Sequence, residues 1–285
     1  MTPPVAVVTD SAASLPPGLA EKWGVRVVPL EVIIDGVSYS EGVEITPDEV
    51  LAHLQVGATI TTSQPSAGAF EEAFAAAVAD GAAEIVAVLI SGELSGTASV
   101  ARLAKADVPV TVVDSRTVAM ATGFAALAAA ALASTGADAD AVAAEARRVA
   151  ASSVCMFTVD SLEHLKRGGR ISPAVAAVGK VLGVRPILEV KDGSIALLDR
   201  VRTTARAREA MVERAKAAIA ALERPAAAVM ALSEEAYVSD SARVLEYAHP
   251  HLAMTVTTPV SAVLSAHTGP GALAVVVADL PAAVH

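Results

Sequence analysis

The stretch Val5-Ala6-Val7-Val8-Thr9-Asp10-Ser11 sets four aliphatic side chains in a row, followed by three that carry hydroxyl or carboxyl oxygens. A short unbroken apolar run is the pattern of a strand buried on both faces, as in a parallel sheet. The polar residues mark the loop that leaves its carboxyl end. The same arrangement returns downstream. Glu84 to Ile90 runs into Ser91-Gly92-Glu93-Leu94-Ser95-Gly96-Thr97, and Val110 to Val113 runs into Asp114-Ser115. Helical stretches fall between these strands: Leu15 to Trp23, a segment capped by Thr46 with Pro47 in its first turn, Gly68 to Ala79, Ala98 to Ala106, and Ala139 to Ala151. Strands alternating with helices predict an α/β unit with a mostly parallel sheet, in which ligands bind at the carboxyl ends of the strands. Val25 to Ile34 is a further strand region, and Asp35-Gly36 a hairpin-type turn.

The pattern changes after Ser153. Phe157-Thr158-Val159 is strand-like, Leu162 to Lys166 is helical, and Arg167 to Ser172 is a basic glycine loop. Arg185 to Val190 and Ser194 to Leu198 flank Asp192-Gly193 as a β-hairpin. A helix over Thr203 to Leu222 and another over Ser239 to Tyr247 are interleaved with strands at Ala226 to Leu232, Met254 to Thr258 and Leu273 to Val277. The expectation is two domains: residues 1–152 as a three-layer α/β unit, and residues 153–285 as an α+β unit with a mixed sheet, with a ligand site between them.

Composition narrows the function. A chain of 285 residues buries a large core without disulfides or metal. Its only cysteine, Cys155, lies in an apolar run and reads as an inert core thiol in a reducing compartment. A net charge of −10 disfavours nucleic acid and anionic membrane surfaces as partners of the whole molecule. Thr117 to Ala137 carries no charge beyond the preceding Arg116, but it is mostly alanine, so it reads as a buried helix and not a membrane span. Met1-Thr2-Pro3-Pro4 lacks the basic and hydrophobic regions of a secretory signal, so none is expected, and the expected location is the cytoplasm. No Walker loop, dinucleotide fingerprint, zinc-protease helix or nucleophile elbow occurs, and the six histidines are scattered, so no metal and no cofactor is expected.

Hydroxyl-rich loops at strand-to-helix junctions remain. Thr62-Ser63 and Ser95-Gly96-Thr97 each precede a helix, where exposed amides and hydroxyls form an anion site or simply cap the helix. His267, in Ser265-Ala266-His267-Thr268-Gly269-Pro270-Gly271, can donate to a carboxylate or serve as a structural loop histidine. Lys166, Arg167, Arg170, Arg200, Arg202, Arg206 and Arg208 form a basic group in an acidic chain. It suits a phosphate or an acidic partner, or is a solvated face.

In combination these motifs resemble the DegV family: Val8-Thr9-Asp10-Ser11, Thr62 to Ser66, Ser91 to Thr97, Val113-Asp114-Ser115, Gly168 to Ser172, Arg202-Thr203 and His267 to Gly271 occur in the family's order along nearly the whole chain. The resemblance implies a two-domain fold holding one long-chain fatty acid. It also implies that the chain has no catalytic centre of its own. A partner kinase similar to dihydroxyacetone kinases would phosphorylate the fatty acid to an acyl phosphate for phospholipid synthesis. It implies carboxylate binding by Thr62, Ser63, Ser95, Gly96 and His267, and kinase docking near Arg170 and Arg202. Ala98 departs from the family, which usually has an aromatic residue there. The rival readings are a stand-alone acyl hydrolase using Ser95 with His267, and a basic-patch interaction protein with a partner other than a kinase.

Overall fold

The computed structural model describes residues 4–178, 184–232, 235–282 and 284; Met1 to Pro3 lie outside them. The first half is built on a four-stranded parallel sheet of β1 (Val5–Asp10), β2 (Arg26–Val28), β6 (Glu84–Leu89) and β7 (Val110–Asp114), ordered β2-β1-β6-β7. Its connections are α1 (Pro17–Trp23), α2 (Pro47–Gln55), α3 (Ala67–Ala79) and α4 (Thr97–Leu103). A separate antiparallel sheet of β3 (Glu31–Ile34), β4 (Val37–Ser40) and β5 (Ile60–Ser63) stands beside it. The hairpin at Asp35-Gly36 forms, with positive φ at both residues.

Two helices complete this half, α5 (Met120–Ala133) and α6 (Ala139–Ser152). The second half forms one six-stranded mixed sheet from β8 (Val154–Thr158), β9 (Arg185–Lys191), β10 (Ser194–Val201), β11 (Pro225–Ala231), β12 (Met254–Pro259) and β13 (Leu273–Asp279). Its order is β10-β9-β8-β13-β11-β12, and only β11 and β12 run parallel. The helices of this half are α7 (Glu163–Arg167), α8 (Pro173–Val178), α9 (Thr204–Ala220), α10 (Glu235–Ala248) and α11 (Ala262–Thr268).

The packing explains the alanines. Phe70, Phe74 and Ala98 cover one face of the parallel sheet through Val8, Ile85 and Leu89. Val7, Val86 and Val88 on the opposite face join a core containing α5, α6 and the inward side chains of the mixed sheet, among them Cys155, Phe157, Met230 and Ala274. The helices α5 and α6 are thus packed between two sheets. A helix covered on all sides must be apolar all round, and small side chains let both sheets approach. Residues from Met120 to Ala131 are accordingly buried throughout. Among the described residues no helix is long and apolar enough to cross a membrane. The outer face of the mixed sheet is covered by Met211, Ala215 and Ile219 of α9 and Leu245 of α10.

Two local expectations are corrected, and one helix falls where none was expected. Thr61-Thr62-Ser63 is not loop but part of β5, because its backbone pairs with β3 at Ile33, Val32 and Glu31. His267 is not in a loop but in the last turn of α11, which Ser261 caps through the amide of Leu264 and Gly269 terminates. The basic glycine loop is followed by α8, which the short Pro173-Ala174-Val175 stretch does not announce.

Candidate functional site

Pairing of β5 with β3 fixes Thr62 opposite Val32. From the other half of the chain, α11 brings His267 to the same point, and Thr62 Oγ1 lies 2.7 Å from His267 Nε2. Gly168, at the end of α7, lies against the other side of the ring; a Cβ there would stand 2.3 Å from Nδ1. Only glycine fits, so the backbone of α7 acts as a stop behind the imidazole. Arg170 follows, its Nε donating to the Leu94 carbonyl at 3.2 Å and its Nη1 to the Gly168 carbonyl. The loop after β6 thereby reaches the same cluster, and its Ser95 Oγ shares a 2.8 Å hydrogen bond with Thr97 Oγ1. Ser91 Oγ donates to the Gly193 carbonyl at 2.8 Å, docking the turn of the β9–β10 hairpin on that loop.

Behind this polar cluster lies a narrow cavity. Thr62, Ser63, Gln64, Ser95, Arg170 and His267 supply most of its polar lining. The rest is largely aliphatic. Leu30, Ile90 and Val118 come from the first half, and Cys155, Phe157, Met230, Val263 and Ala274 from the second. Such a lining suits a ligand with a long apolar body and one polar end. A second recess shares Thr62, Arg170 and His267 and adds His164, Arg167 and Gly168. The polar cluster therefore lies where an apolar chamber meets a basic one.

Electrostatics differ along the wall. Burial pushes the His267 pKa down to about 4, and the nearby Arg170 charge pushes the same way. The imidazole is neutral at pH 7, and Arg170 supplies positive charge at this end. Burial raises the Cys155 thiol to about 12, so its sulfur contributes apolar surface and no nucleophile. Among the described residues no cluster of three metal-ligating side chains occurs.

The model of the DegV family, described as an uncharacterised protein family, matches residues 4–280. A DegV domain-containing protein of Streptomyces coelicolor is 40% identical over 277 residues, covering 96% of this chain and 98% of its own. The chain belongs to the DegV family. Among solved structures, a DegV family protein from Thermus thermophilus, described by its fatty acid binding, superposes with a TM-score of 0.90 at 34% identity, covering 98% of this chain and all of its own. A stearic acid-binding protein from Eubacterium ventriosum superposes with a TM-score of 0.85 at 26% identity, covering 96% and 98%.

Within this DegV fold the residues singled out from the sequence take different places. Thr62, Ser63, Ser95 and His267 line the cavity, as does Arg170, which the sequence reading assigned to a docking face. Gly96 does not line it; it caps α4 and packs near the Gln64 side chain. Arg202 is exposed beside Arg206, Glu209 and Glu213 in a shallow hollow that shares no residue with the cavity. The basic group is thus divided between two surfaces. Ala98 is buried with Phe70 and Phe74 on one face of the parallel sheet and is not among the residues that line the cavity. Sequence reasoning passed over Gly168 as a member of the site and Leu94 as the anchor of Arg170. Their only signal was their place in the two glycine-bearing motifs.

Proposed function

We propose that the chain binds one long-chain fatty acid, with its carboxylate at Thr62, Ser95 and His267, and presents that carboxylate to a separate ATP-dependent kinase in the cytoplasm. The observation that carries this reading is the single polar cluster on an otherwise apolar cavity. Burying roughly 14 methylenes at about 0.8 kcal/mol each contributes on the order of 11 kcal/mol before ordering costs. The carboxylate is the unfavourable end to bury, and hydroxyls, a neutral imidazole and the Arg170 guanidinium offset that cost. The fatty acid and stearic acid binding of the two structural relatives supports the same ligand class.

The basic recess of His164 and Arg167 is where the incoming phosphoryl group would meet the carboxylate. The sequence carries no Walker loop, and a partner related to dihydroxyacetone kinases as the source of phosphoryl transfer is what the DegV resemblance implies. The hydrolase alternative needs a hydrogen bond from nucleophile to base. Instead His267 Nε2 meets Thr62, and Ser95 meets Thr97. Mass spectrometry of lipid extracted from the purified protein tests the ligand: the expected species is a long-chain fatty acid. A protein that comes out empty and takes up no added fatty acid would refute the reading. Mixing the loaded protein with such a kinase and ATP should yield acyl phosphate.

A further inference from the structure

We infer that Glu41 is a positioning residue for the carboxylate end of the cavity, acting from outside the lining by holding the first turn of α11, whose last turn carries His267. This inference rests on the fatty-acid reading above. Glu41 follows β4, and its side chain is buried at 6% exposure. A buried carboxyl is costly unless hydrogen bonds surround it. Here one oxygen accepts from the amide of Val263 at 2.6 Å, and the other accepts from Ser11 Oγ. Ser261 and the amide of Ala262 add further hydrogen bonds, and no cation is among the groups that act on the acid. Its partners therefore come from two places: the segment after β1 and the first turn of α11.

The network ends on the cavity wall. Ser11 Oγ, while donating to Glu41, accepts from the amide of Leu30 at 2.9 Å. Leu30 and Val263 both line the cavity. Helix α11 spans 7 residues, and His267 lies five residues beyond Ala262, roughly 7.5 Å at 1.5 Å per residue. Its far end is held by the Thr62 contact and by the close approach of Gly168 to the ring. Releasing the near end lets the helix shift along its axis, and the Thr62–His267 contact is what such a shift breaks. An unpaired amide at Val263 would also favour that shift, because its hydrogen would need a new acceptor.

The test compares hexadecanoic acid with its methyl ester, which keeps the chain and loses the charge. Dissociation constants are measured by titration on the full-length protein and on Glu41→Ala, Glu41→Gln, Ser11→Ala and His267→Ala, each first stripped of lipid. The wild type should prefer the acid. Glu41→Ala should lose on the order of tenfold in affinity for the acid with little change for the ester, in the direction of His267→Ala. Glu41→Gln keeps an acceptor for Val263 and should restore most of the preference. Ser11→Ala, a milder change should Glu41→Ala fail to fold, should lower the preference in the same sense. Equal losses for acid and ester, or an undiminished preference in Glu41→Ala and Ser11→Ala, would overturn the positioning role alone. A wild type with no preference for the acid overturns the fatty-acid reading and this inference with it.

Discussion

Thr62 and His267 are 205 positions apart in the chain, and their side chains meet at 2.7 Å. The contact joins the small antiparallel sheet of the first half to the last turn of α11 in the second. When Nε2–H donates to the threonine oxygen, the threonine hydroxyl is left to donate to a ligand carboxylate. Thr62→Val keeps the shape and removes that donor. It should weaken fatty-acid binding by about 1 to 2 kcal/mol, read by titration calorimetry with melting temperature as the control.

His267 gives a pH signature. Its pKa in the folded protein, about 4, lies below the ordinary 6.5. Between those values the unfolded chain takes up a proton that the folded chain refuses, so this group lowers stability as pH falls from 6.5 toward 4. A bound carboxylate would supply the opposite charge and raise the folded pKa. The imidazole carbon resonance should therefore titrate near 4 in the lipid-free protein and at higher pH in the loaded one. An identical midpoint in both states would place the carboxylate away from His267.

Asp10 acts with the opposite sign. It is fully buried at the end of β1, accepts from the amide of Ile90 at 2.8 Å, and burial raises its pKa from 3.8 to about 7, with Glu41 adding to the rise. The folded state holds a proton that the unfolded chain has released, so its contribution is present below pH 4 and is lost as pH rises through 7. The full span is about 4 kcal/mol at 1.36 kcal/mol per unit. The wild-type melting temperature should fall between pH 5 and pH 8, and Asp10→Asn should flatten that fall. A wild-type melting temperature that rises over this interval, with the variant parallel to it, would contradict the assignment.

Much of this architecture could be read from the sequence because burial and periodicity agree there. Val5 to Val8 has no polar residue to offer solvent, and it forms a strand of the parallel sheet with Val7 and Val8 buried. Thr61-Thr62-Ser63 defeats the same reasoning, since three hydroxyl residues carry no strand period; only pairing with Glu31 to Ile33 makes them strand. The Ser-Gly loops identify the polar end because hydroxyls and glycines cluster at strand ends. The aliphatic wall was not legible. Cys155 and Phe157 look like any core residues, and only the packing of two sheets about α5 leaves space beside them.

Ala119 carries strain that a single substitution can release. It lines the cavity at the start of α5 with φ 58° and ψ −151°, a region that glycine occupies freely and residues with a Cβ avoid. Its amide donates to the Ala12 carbonyl at 3.0 Å, which helps to hold the conformation. Ala119→Gly should stabilise the fold by about 1 to 3 kcal/mol, less the entropy glycine adds to the unfolded chain. Chemical denaturation measures this directly, and a destabilised variant would show that the alanine methyl packs favourably enough to outweigh the strain.

The two arginines that the sequence groups together should separate in function. Arg170 lines the cavity, donates to the Leu94 and Gly168 carbonyls, and depresses the His267 pKa through its charge. Arg202 is exposed and shares nothing with that cavity. Arg170→Ala removes a cation from the carboxylate end and a link between the β6 loop and the α7 corner. It should weaken fatty-acid binding and let the His267 pKa rise in part, burial continuing to hold it below 6.5. Arg202→Ala should leave both unchanged, because an exposed charge outside the cavity is screened by solvent. If Arg202 docks the partner kinase, its variant should slow acyl-phosphate formation from the loaded protein while binding stays intact. Measuring fatty-acid affinity, the imidazole titration and phosphorylation on the same two variants separates these roles, since a purely structural defect at Arg202 would lower affinity and phosphorylation together.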